Sequence, residues 1–177
     1  HTDTIRGEGF EPVAIPMVRG SMNPFRELRA VIALWRVMRR YRPAVVHCVA
    51  LKPILAGGLA ALGFRGLTVV NAFTGMGAIL GHGTARRRPL HHALACVIRV
   101  LSRANRAYAI VQNADDRAYL LDGGVAPADR VALIAGSGVD TTMFSPGPEA
   151  EGPLTIMMVS RLLRDKGVAE LVRAAGI

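Results

Sequence analysis

Short apolar runs rich in β-branched residues alternate along this chain with segments whose apolar residues recur at helical spacing. That alternation limits the fold more than any other feature of the sequence. Residues 44–49 (AVVHCV), 67–73 (LTVVNAF), 107–111 (AYAIV) and 131–135 (VALIA) are strand-type runs, each bounded by turn residues. Between them lie helical patterns. The first opens at Asn23-Pro24, where Asn supplies a cap and Pro suits the first helical position. Phe25, Leu28, Ile32, Trp35 and Met38 then form one apolar stripe. Arg36, Arg39 and Arg40 favour the negative end of the helix dipole, and Pro43 stops the helix. A helix of small residues is expected over 53–62, ended by Gly63, and a long one over 89–104. A fourth, short helix is capped by Asn113, carries Asp116 in its first turn and ends at Gly123-Gly124. An additional short strand is expected at 12–16.

Strands that each feed a helix argue for an α/β fold with a parallel, doubly wound sheet. The composition agrees, with 51% hydrophobic residues, only 5% aromatic ones and much Ala, Val, Leu and Gly, as in sheets buried on both faces. Pro146, Gly147, Pro148, Gly152 and Pro153 punctuate the chain heavily. The expected organisation is therefore a domain over 1–146, a linker over 147–153 and the start of a second domain over 154–177. The second domain begins with a buried strand at 154–159 and a helix over 168–175. The first residue is His1, and the last lies inside a helical pattern, so the sequence is expected to be cut at both ends.

The formal net charge is +9, but its distribution matters more. No acidic residue occurs between Glu27 and Asp115, a span that holds Lys52 and twelve arginines, Arg86, Arg87 and Arg88 among them. Such a bias points to an anionic partner, either a membrane surface or a phosphorylated ligand, unless it only decorates a solvated face. Nucleic acid is disfavoured, because no aromatic residues interleave with the arginines as stacking platforms do. No apolar stretch reaches the length that spans a bilayer. Cys48 and Cys96 sit in apolar surroundings without Cys-x-x-Cys spacing, and are expected to be buried, reduced and structural. His82, His91 and His92 lack metal-ligand spacing and no Asp-x-Asp occurs, so no metal site is expected.

Two stretches resemble one family. The run RPAVVHCVALKP (42–53) is similar to a stretch of glycosyltransferase family 4 enzymes. The more specific likeness combines VQNADDR (111–117), LIAGSGVD (133–140), FSP (144–146) and VSRLLRDKG (159–167). Together they resemble the interdomain crossing of that family, above all its bacterial branch acting on lipid-linked sugars in surface polysaccharide synthesis. The resemblance implies a GT-B fold of two Rossmann-like domains, with acceptor on the first and donor on the second. It also implies a retaining, metal-independent sugar transfer from a nucleotide-diphosphate donor, without a separate cofactor. The enzyme would work in the cytoplasm, peripheral to the inner membrane face.

Carried onto this sequence, the resemblance gives Arg161 and Lys166 as contacts to the donor diphosphate. The physics suits them. A strand ending near Ser160 would set Arg161 at its carboxyl edge, and Lys166 precedes a helix whose first amides favour anions. Arg forks onto a diphosphate while Lys adds a point charge, and a departing nucleoside diphosphate gains negative charge. On the acceptor side stand His47, Lys52, Thr74 and Gly75. His47, inside a strand, reads more often as a satisfied core histidine, whereas Lys52 is the better candidate for an acceptor phosphate or sugar. Where many family members carry a histidine after the second strand, this chain has Thr74-Gly75, like the TGLG variant of the lipid-linked branch. Thr74 is thus the one candidate for a catalytic contact, and a capping threonine is the alternative. The loop 73–81 lacks a full Gly-x-Gly-x-x-Gly, since Leu80 fills the last slot. Two other classes remain open: a basic α/β module that binds a membrane or nucleic acid without catalysis, and a nucleotide-sugar epimerase.

Overall fold

A computed structural model describes residues 2–18, 21, 23–74, 88–136, 138–148, 151–153, 155–160, 162 and 166–176, with the side chains of 88–91 left aside. The chain forms two compact units, His1–Ser137 and Gly138–Ile177.

The first unit is built on four parallel strands, β1 (Val45–Val49), β2 (Thr68–Phe73), β3 (Tyr108–Val111) and β4 (Val131–Leu133), neighbours in that order. The register pairs Cys48 with Asn71, Asn71 with Ala109, and Ala109 with Val131. A short exposed helix, α1 (Thr2–Gly7), opens the chain, and α2 (Pro24–Tyr41) leads into β1. The crossovers are α3 (Leu51–Ala61), α4 (Arg88–Ala104) and α5 (Ala114–Asp122). Consecutive parallel strands joined by right-handed crossovers set all three helices on one face. The main core agrees, since Ile54, Ile98 and Leu120 from the three helices meet Cys48, Phe73 and Val111 from the sheet. Helix α2 packs on α3 through a second cluster of Met38, Ala60, Ala61, Val69 and Ala107.

Caps act as expected. Asn23 Oδ1 accepts from the Phe25 and Arg26 amides at 3.0 and 3.4 Å, ahead of Pro24, and Asn113 Oδ1 accepts from the Asp116 amide at 2.7 Å. The small residues of α3 let two neighbours approach closely. A Cβ added at Gly57 would lie 2.5 Å from Cys48 Sγ, and one at Gly58 would lie 3.4 Å from Leu101.

Among the described residues, much of the opposite face of the sheet is exposed. Period-two alternation sends Val45, His47, Val49 and Tyr108 to that side, and all four are exposed. Parallel sheets are ordinarily covered on both faces, so this surface is unusual for its architecture.

Three expectations are corrected. Residues 12–16 do not form a strand, because Pro12 and Pro16 remove two amide donors and no strand lies beside them among the described residues. Cys48 is buried as expected, but Cys96 is exposed, since it lies on the α4 surface that faces away from Ile98 and Leu101. Residues 155–159 are also without strand structure. A parallel strand needs a neighbour, and the second unit has no strand among its described residues, so Ile156 and Val159 stand 74% and 90% exposed. That unit does contain the expected helix, α6 (Val168–Ala175).

Candidate functional site

Ligands of open α/β sheets bind outside the carboxyl ends of the strands, so that edge is the place to look. At β1 it begins with Ala50, which adopts φ 71°, ψ 164°, a conformation nearly reserved for glycine. Two hydrogen bonds hold it there: its amide donates to Ala72 O at 3.1 Å, and its carbonyl accepts from the Ile54 amide at 3.1 Å. The chain thus turns from β1 into α3 in a single residue, which carries Lys52 over the edge.

Lys52 is fully engaged. Its ammonium donates to Val18 O at 2.8 Å, Ser21 O at 2.5 Å and Glu27 Oε1 at 2.6 Å. Those bonds use all three of its protons. Lys52 therefore ties the segment before α2, and the first turn of α2, to the end of β1. An anionic acceptor at Lys52 would have to share it with the Glu27 carboxylate.

Thr74 follows the last residue of β2 and is exposed, while Gly75 and the glycine-rich loop lie outside the described residues. At the end of β3, Asn113 caps α5 and its Nδ2 donates to Asp116 Oδ2 at 3.0 Å. Asp116 is buried at this turn. The edge thus gathers Lys52, Thr74 and the Asn113–Asp116 pair. His47 is placed apart from them, on the exposed face of β1 and registered with Val70. Cys48 is no nucleophile, because burial pushes its thiol up to about 11 and it stays protonated near neutrality.

In the second unit, Lys166 immediately precedes Gly167, whose φ of 77° caps α6. Arg161 and Arg164 lie outside the described residues, as do Arg86 and Arg87. Nearby in sequence, Asp140 closes an exposed turn, accepting from the Thr142 amide at 2.9 Å and the Thr142 hydroxyl at 2.6 Å. The Thr142 hydroxyl and the amides of Thr142 and Met143 hold this carboxyl below its ordinary range.

Sequence reasoning missed Ala50 and the Glu27–Lys52 pair. It also missed Asn71, a buried polar residue of β2 whose Oδ1 has no hydrogen-bond partner among the described residues. Only Asn71 carried a signal, as the one amide inside an apolar strand. No protein-family model matches the chain, and no curated protein matches it either.

Relieving the strain at Ala50 should be measurable. Ala50→Gly should raise stability by about 1 kcal/mol, as roughly 1–3 kcal/mol of strain outweighs the backbone entropy that glycine loses. Urea titration would show a higher midpoint at unchanged slope, and a lower midpoint would mean that Ala50 sits there without strain.

Proposed function

We propose that this chain belongs to a glycosyltransferase that moves a sugar from a nucleotide-diphosphate donor to a lipid-linked or polysaccharide acceptor. The observation that carries the reading is the segment VSRLLRDKG (159–167), which sets Arg161 and Lys166 ahead of α6. A four-stranded parallel sheet with helices between its strands supports the first half of the proposed GT-B architecture. In this reading the acceptor lies along the carboxyl edge near Thr74, Gly75 and Lys52, with His47 on the adjoining face. The transfer is retaining and needs no metal. The donor diphosphate lies against Arg161 and Lys166, whose charges stabilise the leaving group.

The proposed workplace is the cytoplasmic face of the membrane. No helix among the described residues is long and apolar enough to cross a bilayer. Arginines near an anionic surface each contribute about 1 kcal/mol, enough together to hold a domain there reversibly.

The test is direct. The protein is incubated with uridine- or guanosine-diphosphate sugars labelled in the sugar, together with polyprenyl-diphosphate-linked acceptors. The expected result is label in the lipid fraction and release of the nucleoside diphosphate, both dependent on acceptor. Conversion of the donor to its epimer without an acceptor would replace this reading with the epimerase one. Failure of every donor and acceptor to react or bind would leave the resemblance without function.

A further inference from the structure

The opposite edge of the sheet, where the strands begin, carries a feature that the proposed transfer does not use. Three recesses line up along it. The largest, about 680 Å³, holds Arg103, Arg106 and Arg130, and a second, about 350 Å³, holds Arg39, Arg42 and Arg65. A third, about 440 Å³, lies between them and shares Arg65 with one and Arg106 with the other. The shared residues make the three one furrow, running from the start of β1 to the start of β4. Three interstrand spacings make that about 14 Å.

Among the described residues, six arginines line this furrow and no acidic side chain does. Among the described residues none of the six forms an ion pair. Helix C-termini also point here, because crossover helices run antiparallel to the strands. Each helix end contributes only about half a negative charge, so the ends of α2, α3, α4 and α5 together offset about two of the six positive charges.

Backbone geometry adds an independent observation. Arg42 and Arg106, which follow α2 and α4, adopt φ of 45° and 48°. These left-handed positions after a helix are where glycine ordinarily sits without strain. The chain places arginine at both, and both are among the residues that line the furrow.

We infer that this furrow binds a ligand carrying several phosphates in a row. Its arginines present planar, forked donors matched to phosphate oxygens, and their spread over about 14 Å rewards several linked phosphates over one. Recesses of this size admit phosphate groups, whether free or as lipid headgroups. The inference is independent of the proposed sugar transfer, whose residues lie elsewhere.

Trp35 offers the readout. It is the only tryptophan, and the Arg39 guanidinium lies 5.2 Å over its ring. The chain is titrated with linear polyphosphate and with orthophosphate while Trp35 fluorescence and heat are followed. The expected result is saturable polyphosphate binding that weakens with salt and far exceeds orthophosphate binding. Arg65→Gln/Arg106→Gln, which removes both shared residues, should weaken it roughly tenfold. Arg29→Gln/Arg36→Gln removes the same charge from exposed positions on α2 that line none of the recesses, and should change affinity by no more than about twofold. Arg39→Gln/Arg103→Gln repeats the test on helical positions should a thermal melt show the first variant to be unfolded.

Vesicles separate the two sources of phosphate. Binding to phosphatidylglycerol but not phosphatidylcholine, displaced by polyphosphate, supports the furrow and assigns a headgroup. Polyphosphate binding without vesicle binding supports it and assigns a soluble ligand. Absence of saturable binding, or equal losses in the furrow and control variants, would overturn the site. Tighter binding of a single-stranded oligonucleotide than of polyphosphate would overturn the ligand class.

Discussion

Gly57→Val should destabilise the first unit by about 2–3 kcal/mol, the effect of forcing extra methyl groups into a filled core. A Cβ at this buried helical position would already lie 2.5 Å from Cys48 Sγ, well inside van der Waals contact. Valine is a somewhat better helix former than glycine, but that gain is a few tenths of a kcal/mol and cannot offset the overlap. Gly57→Ala should cost less, because the opposing atom ends a side chain with one rotatable bond. The decisive control is Cys48→Ala. If the sulfur is the obstacle, adding Cys48→Ala to Gly57→Val should recover part of the loss, a coupling that additive sites do not show. Urea unfolding of the two single variants and the double one measures it. Strict additivity would mean that β1 and α3 relax apart instead.

The second large effect concerns turnover. In the proposed enzyme Arg161→Ala and Lys166→Ala should each lower kcat by roughly 10²–10³-fold, the scale of losing one preorganised electrostatic stabiliser. Negative charge grows on the leaving diphosphate as the glycosidic bond breaks, so the loss should fall on kcat more than on KM. Stability should hardly change in Lys166→Ala, since exposed charges seldom carry it. Lys166→Arg should keep more activity than Lys166→Ala. Unchanged kinetics in both alanine variants would remove the donor site from this segment, whatever the fate of the acceptor side.

What the sequence made legible was local. Asn23-Pro24 specified where α2 starts because capping is settled within three residues, and Asn113 did the same for α5. The strands β1 to β4 were legible because each is a short apolar run between turn residues. The run 154–159 has the same local pattern, yet its described residues are not a strand, since pairing depends on a neighbour that no local pattern encodes. Nor could the state of Lys52 be read. Its partners lie 25 to 34 residues away, Glu27 in α2 and Val18 and Ser21 in the segment before it, and no local pattern links them to Lys52. Ala50 gave no sign of a positive φ, because alanine is not a residue chosen for one. The furrow was half legible. Five of its arginines were conspicuous as members of the acid-free span, but only the order of the strands shows that they and Arg130 line one edge.

That same strand order bears on how the chain reaches its native state. Every strand lies beside the next one in sequence, so β1 to β4 assemble without any strand being inserted between two others. Each pairing closes a loop that carries one of the crossover helices, and loop-closure cost rises only slowly with length. Assembly can advance as a chain of similar steps, each leaving one fresh edge as the template for the next. The slowest step should be the pairing of β2 with β3, whose intervening segment is the longest of the three. Substitutions in the β1–α3–β2 unit should therefore alter the refolding rate differently from substitutions in β4, which joins last.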